Sequence, residues 1–347
     1  MNTQHKIFRF RLKDKHCAEL CRQAQAVNFV WNFCRNSTEH ALRWNKRWPT
    51  GYDLQKLAAG ASKYLNLHAH TIQQVCSRYA MSRDQFKKPR LRWRGIKSLG
   101  WVPFNTGHVK FDGTGFIFRG VRFDAWISRY LKNGQTFGVG SFSQDSLGRW
   151  YINLSVRVEI ERSSGVSAVG IDLGLKTIAA LSTGRKIEHP RWYRSIEQRI
   201  AISQRANKKK QVRRLHAKAA ARRADFLHKE STRIVNEHGA IFIGNVNAKA
   251  ISQTRMSKSS LDAGWGIFKR QLEYKAMARG VLFAEVNEAH STQTCSSCGS
   301  VEGPKGVAGL GVRQWRCSCG VEHDRDTNAA KVIAARGLAS LEAGASV

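Results

Sequence analysis

The sequence predicts a multidomain α+β protein: an N-terminal β-barrel or sheet with an inserted helical module, then an α/β unit interrupted by a metal-binding ribbon. Three observations lead there. Alternating apolar and polar runs occupy residues 4–12 and 101–160, which is the period of strands with one buried face. Residues 15–86 between them carry apolar side chains at helical spacing. Past Ser163-Ser164-Gly165 the pattern changes to strands and helices in alternation, the mark of a parallel sheet with crossovers.

The opening run, Gln4 to Leu12, alternates basic and apolar residues and reads as a strand with a wet, positive face that the later sheet can take as a neighbour. From Lys15 to Trp48, leucines with Val27, Val30, Trp31 and Phe33 predict a helix, and a second helical pair is expected over residues 53–86. Next comes a cationic stretch, Lys87, Lys88, Pro89, Arg90, Leu91, Arg92, Trp93 and Arg94, which Pro89 and Gly95 keep out of a long helix. Arginines alternating with an aromatic ring can pair phosphates while the ring stacks, so this segment is a candidate nucleic-acid surface; a solvated connector is the other reading. Residues 196–237 predict a long helix or helix pair whose Lys208, Lys209, Lys210, Arg213 and Arg214 form a one-signed face suited to a phosphate backbone.

Charge points the same way. The 347 residues hold 58 Lys and Arg against 25 Asp and Glu, a formal net charge of +33, which solubility does not require and a polyanionic partner explains. No stretch is long or apolar enough to span a bilayer and no start resembles a signal peptide, so a soluble intracellular protein is expected. Of eight cysteines, Cys17, Cys21, Cys34 and Cys76 sit in apolar helical surroundings and read as small buried residues. The other four are different. Cys295, Cys298, Cys317 and Cys319 form two close pairs about twenty residues apart, the spacing of a thiolate zinc ribbon, with Trp315 in its core and His323 in the loop leading out of it.

In the second half, residues 168–181 read as a buried strand, a turn and a second strand, with Asp172 set in an apolar run. A buried carboxylate needs a partner, and a turn aspartate bonded to backbone near Gly174 is the bland alternative. Residues 240–246 and 280–288 predict two further strands around a helix at 261–279, and these should run parallel. The chain then ends in a helix that begins at Asp324-Arg325-Asp326, where either aspartate can cap and the other face the sheet. An acidic first strand and an acidic final helix on such a sheet describe an RNase H-like fold, in which Asp172 and Asp326 can hold two Mg²⁺ ions about 3.5–4 Å apart for phosphodiester hydrolysis.

These motifs also resemble those of the TnpB (OrfB) nucleases of bacterial insertion sequences, relatives of the type V CRISPR effectors. The resemblance lies in Gly170-Ile-Asp172-Leu-Gly-Leu-Lys176, Thr294-Cys-Ser-Ser-Cys-Gly299 and Asp324-Arg-Asp326-Thr-Asn-Ala-Ala330. More diffusely it extends to residues 8–12, 28–32 and 149–154, so that it covers nearly the whole chain. It implies an RNA-guided DNA endonuclease of a mobile element, working in the bacterial cytoplasm at the nucleoid, with guide RNA and double-stranded target DNA as partners and a RuvC-type domain that cuts beside a short flanking motif. It also implies domains at 1–14 with 96–163 (a wedge-like β-barrel), 15–95 (a helical recognition module) and 164–347 (the nuclease domain, with the ribbon at 290–322).

Two positions depart from the family pattern. Gly244 stands where a second metal-binding glutamate is expected, and Glu288 follows the neighbouring parallel strand at the same end of the sheet. Strands lie about 4.8 Å apart, within reach of a glutamate, so Glu288 is assigned as a relocated ligand beside Asp172 and Asp326, whereas Glu285 points to the opposite face. Cys317-Ser318-Cys319 is one residue shorter than the usual knuckle, and all four thiolates remain for one Zn²⁺. Two other functions stay open: guided DNA binding by a nuclease-dead protein that acts as a roadblock, and unguided DNA binding by a zinc-ribbon transposition protein.

Overall fold

A computed structural model describes residues 3–132, 134–159, 163–246, 257–305 and 308–344. The chain forms two compact units, residues 1–159 and 160–347.

The first unit is built on strands β1 (Thr3–Leu12), β2 (Trp101–Phe104), β3 (Val109–Phe111), β4 (Gly115–Phe118), β5 (Val121–Trp126), β6 (Gly140–Gln144) and β7 (Trp150–Glu159). They form one antiparallel sheet in the order β2-β6-β7-β1-β5-β4-β3, so the opening strand lies between β7 and β5. Side chains alternate along β7, with Trp150, Ile152, Leu154 and Val156 buried, and the inward face is filled by Phe10, Phe104, Phe116, Phe118, Phe123 and Phe142. Phe104 on the edge strand β2 meets Phe118 on β4 at 5.8 Å between ring centres, although four strands separate β2 from β4. The sheet is therefore strongly rolled, which is how aromatic residues close a small β core.

Helices α1 (Cys17–Arg43), α2 (Gly51–Leu57), α3 (Ala61–Leu65) and α4 (Ala69–Gln85) follow β1. The pair expected over 53–86 is thus three helices: Gly60, left-handed at φ 81°, breaks the run, and Thr50 with Asp53 caps α2 reciprocally. A buried stripe on α1, Leu20, Ala24, Val27, Val30 and Cys34, belongs to one core with Ile72, Val75, Cys76 and Tyr79 of α4.

The second unit contains β8 (Ala168–Leu173), β9 (Thr177–Leu181), β10 (Lys186–Glu188), α5 (Glu197–Arg205), α6 (Lys209–Glu237), β11 (Ala240–Gly244), α7 (Ser257–Ala263), α8 (Trp265–Arg279), β12 (Leu282–Val286), the hairpin β13 (Gln314–Arg316) and β14 (Glu322–Asp324), and α9 (Arg325–Gly344). Its five-stranded sheet has the order β10-β9-β8-β11-β12, antiparallel across the first three strands and parallel across the last three. Two-residue periodicity sorts its faces. Val169, Ile171, Ile241 and Ile243 share a core with Leu227 and Ile234 of α6 and Phe268 and Leu272 of α8, whereas Phe242 and Val286 pack with Ile333 of α9.

Gly170 explains how α9 comes so close. A Cβ there would overlap the Ala330 carbonyl and sit 2.6 Å from the Ala334 nitrogen, so only glycine lets the helix lie against β8. That approach brings the start of α9 beside the carboxyl ends of β8, β11 and β12. Among the described residues no helix is long and apolar enough to cross a membrane.

Candidate active site

Gly170, Asp172, Phe242 and Gly244 follow the two-residue period of β8 and β11, so Asp172 and Gly244 share the face that α9 covers. At Gly244 a Cβ would lie 2.5 Å from Glu288 Oε2 and 3.2 Å from Glu288 Cβ. The Glu288 carboxylate therefore occupies the space above the glycine. Its loop is held from two sides: Asn245 Oδ1 accepts from the Glu288 amide at 3.2 Å, and Arg336 of α9 donates to the Asn287 and Ala289 carbonyls at 2.8 Å each. Glu285, on the opposite face, is paired with Lys269 of α8.

The two aspartates at the start of α9 divide their work. Asp324 accepts from the Thr327 amide at 3.0 Å, a helix cap, and pairs with Lys186 at 2.7 Å. Asp326, one half-turn on, lines an open cavity of about 460 Å³ together with Asp172, Glu288, Lys176 and Arg313. Arg313 reaches both Asp326 oxygens, at 3.1 and 3.2 Å. Burial, and then the charges of Asp326 and Glu288, push the Asp172 carboxyl up to about 8, and burial also raises Glu288. Three carboxyls converge on one space that Lys176, Arg313 and Arg325 also line, and the raised Asp172 shows that these cations do not offset its burial and its acidic neighbours, a cost that a bound cation relieves.

The sign of the Asp172 shift yields a prediction. Because the folded-state pKa lies above the ordinary value of 3.8, the folded protein keeps a proton that the unfolded chain sheds. Stability is therefore lost as pH rises from about 4 through about 8. Asp172→Asn removes the penalty. Without added divalent cation, the variant should be more stable than wild type by on the order of 1–3 kcal/mol at alkaline pH and equal to it at acid pH, as thermal unfolding across that range would read.

The four ribbon thiols converge. The sulfurs of Cys295, Cys298, Cys317 and Cys319 all lie within 4.8 Å of one another, with Cys295–Cys319 at 3.8 Å and Cys298–Cys317 at 3.6 Å, close enough that one metal ion could be held by all four. Glu302 braces the short Cys317-Ser318-Cys319 turn by accepting from the Ser318 amide at 3.0 Å and hydroxyl at 2.9 Å. His323, expected in a loop, is instead a buried residue of β14: its pairing with Trp315 across the hairpin fixes it there, with Nε2 3.0 Å from Cys295 Sγ. Asn328, 1% exposed, clasps the ribbon to α9, donating to the Thr294 carbonyl at 2.7 Å and accepting from the Ser296 amide at 2.9 Å.

Sequence reasoning passed over Arg313, Arg336 and Asn328. Asn328 had a local signal, its place in the Asp324–Ala330 motif; Arg313 and Arg336 had none, since their partners are set by tertiary contact.

The basic candidates are mostly open to solvent. Lys87, Lys88, Arg90, Arg92 and Trp93 are exposed in the first unit, and Lys208, Lys209, Lys210, Arg213 and Arg214 are exposed at the start of α6. Arg94 differs. Its Nε donates to Asn28 Oδ1 and its Nη2 to the Leu99 carbonyl, both at 2.7 Å. Residues 91–95 are strapped along α1 by Asn28, Trp31, Asn32 and Arg35, one helix face, which donate to the carbonyls of Gly95, Arg92, Arg94 and Leu91.

Residues 151–255 match a family described as "Probable transposase" and residues 265–333 one described as "Cas12f1-like, TNB domain". A "Putative RNA-guided DNA endonuclease" of Streptomyces pristinaespiralis is 29% identical over 97% of this chain and 90% of its own length. The "Putative RNA-guided DNA endonuclease InsQ" of Escherichia coli K12 is 26% identical over 97% of this chain and 93% of its own. Among solved structures, Cas12f1 in a complex with guide RNA and target DNA shares the fold at a TM-score of 0.61 and 13% identity, over 93% of this chain and 83% of that one. With the two family matches falling mainly on the unit that carries the acidic cavity and the thiol cluster, and with relatives aligned over 97% of this chain, the chain is similar to the RNA-guided endonucleases of the TnpB (OrfB) type from end to end.

Proposed function

We propose that this protein is an RNA-guided DNA endonuclease of a transposable element, cutting DNA complementary to its guide beside a short flanking motif. One observation carries the reading: Asp172, Glu288 and Asp326, from three separate segments, line a single open cavity. The two relatives aligned over nearly the full chain are named for the same activity. The strand order of the second unit, with its parallel strands ending at the acidic cavity and α9 lying across them, supports an RNase H-like domain of RuvC type.

The donors suit the metals. Carboxylate oxygens converging on one open cavity fit hard divalent cations, and two Mg²⁺ held by Asp172, Glu288 and Asp326 would supply an activated water and charge stabilisation for phosphodiester hydrolysis. Asp172 gives up its proton to take that role, Arg336 and Asn245 hold Glu288 on line, and Arg313 offers a charge complementary to phosphate. For the ribbon, tetrahedral Zn–S bonds of about 2.3 Å put sulfurs about 3.8 Å apart, close to the separations of its thiols. Zn²⁺ held by Cys295, Cys298, Cys317 and Cys319 would be structural. Base pairing with the guide would choose the sequence, while Lys87, Lys88, Arg90, Arg92 and the Lys208–Arg214 face would hold backbone phosphates and the Trp93 ring would stack. In this reading the rolled sheet serves as the wedge and the helices of the first unit as the recognition module.

The test is to purify the protein with its flanking locus co-expressed, sequence the bound RNA, and challenge it with a matched target carrying a randomised flank. A defined RNA and Mg²⁺-dependent cutting, lost in Asp172→Ala and Asp326→Ala, are expected. A defined RNA with guided binding but no cutting would leave the roadblock, and absence of any defined RNA would leave an unguided DNA-binding protein.

A further inference from the structure

A second cavity, of about 400 Å³, adjoins the acidic one and shares Leu175, Lys176 and Arg313 with it as a common wall. Here cations outnumber carboxylates. Five cationic side chains line it: Lys176, Arg191, Arg194, Lys258 and Arg313. Lys258 is paired with Glu197 at 3.1 Å and Arg313 with Asp326 at 3.1 Å. Lys176, Arg191 and Arg194 make no ion pair among the described residues. Its two acidic lining residues do not cancel this charge, because Glu197 is taken by Lys258 and Asp262 is occupied below.

The floor is buried and hydrogen-bonded. The Asp262 side chain, 3% exposed, accepts from the Tyr193 amide with both oxygens at 3.0 Å and faces Arg223 at 3.5 Å. This clasp fixes the turn that carries Arg191 and Arg194, and within it Arg191 adopts a left-handed backbone at φ 49°, a conformation a β-carbon-bearing residue keeps only where its surroundings impose it. His189, also 3% exposed, borders the cavity with an Nε2 that has no hydrogen-bond partner and lies 3.7 Å from Asp262. Three cations without ion partners around one cavity describe a site that suits an anionic oxygen.

We infer that this cavity is a phosphate subsite, taking a backbone phosphate of the single nucleic-acid strand whose neighbouring phosphate enters the acidic cavity. The inference rests on the proposed nuclease reading for which strand is bound, and it adds the residues that set that strand's register: Lys176, Arg191 and Arg194 as charge partners, and Asp262 as the positioning residue. A charge-lined wall common to both cavities is what connects the two phosphates. Holding the phosphate beside the one to be cut fixes the reacting bond without touching it.

The experiment uses the full chain with its co-purified RNA and Asp172→Ala to prevent cutting. Single-stranded DNA oligonucleotides, each carrying one neutral methylphosphonate at a successive position, are bound in the presence and absence of Arg191→Ala/Arg194→Ala. Both arginines are exposed, and unchanged thermal unfolding would establish that the variant folds. The double variant should weaken binding of the unmodified strand about tenfold and flatten the salt dependence by about one to two counterions. One methylphosphonate position should weaken the parent by a similar factor and leave the variant unaffected, because the same contact is already gone. Equal losses in both proteins at every position, or an unchanged salt slope, would overturn the subsite. Since binding is read in a protein that cannot cut, a coupled phosphate with no cleavage in wild type would sink the nuclease reading alone. Cleavage in wild type with no coupled phosphate would sink this one alone.

Discussion

Glu288→Ala should lower target cleavage by roughly 10²–10³-fold or more, while Glu285→Ala leaves it within a few-fold of wild type, because removing a ligand of the proposed catalytic cations removes charge stabilisation of about that size. The contrast is informative because the residues are three apart. Glu285 faces α8 and is held by Lys269, whereas Glu288 lies over Gly244 in the cavity with Asp172 and Asp326. A reciprocal exchange sharpens the test. Gly244→Ala alone places a methyl 2.5 Å from Glu288 Oε2, so it should displace the carboxylate and cut activity by about tenfold or more. Gly244→Glu combined with Glu288→Ala moves the carboxylate back to the strand end and should recover a measurable part of the lost cleavage. Gel-based cleavage of a matched duplex in Mg²⁺ reads all four proteins; full activity in Glu288→Ala would remove this residue from the site.

Loss of the ribbon metal should be nearly as damaging. Cys298→Ser or Cys317→Ser is expected to reduce bound zinc from about one per chain towards none and to lower cleavage by on the order of 10²-fold, with Asp172 and Glu288 untouched. The route runs through Asn328. Its amide ties the Thr294–Ser296 segment of the knuckle to α9, two residues from Asp326, and Arg313 on the ribbon side contacts Asp326 directly. When the thiolates lose their metal, both ties lose their anchor, and a carboxylate misplaced by about 1 Å can cost that factor. Metal analysis, cleavage and protease sensitivity around residues 291–324 should change together. A zinc-free variant with full activity would show that the ribbon does not position the helix.

Local chemistry made much of this legible. The alternating runs of the first unit, the βαβ rhythm after residue 163 and the paired cysteines are each written in side chains a few residues apart. So too is the break between Glu285 and Glu288: a strand that presents 285 to one face presents 286 and 288 to the other. The helical pair expected over 53–86 became three helices because a left-handed Gly60 and a capping box act over one or two residues, below the resolution of apolar spacing. His323 was misread as a loop residue for a related reason, since a three-residue strand leaves almost no pattern.

By itself, then, the sequence determined the strand-rich and helical stretches of the first unit, the alternation of strand and helix in the second, a net charge suited to a polyanion, the paired cysteines and a short list of carboxylates, because each depends on periodicity, charge or spacing along the chain. Tertiary structure alone decided that Asp324 caps while Asp326 faces the cavity, that Arg94 is spent on Asn28 and Leu99, and that Arg313 and Arg336 support the site. It decided these because a side chain's role is set by the partner it meets, and those partners are supplied by segments far away in the chain.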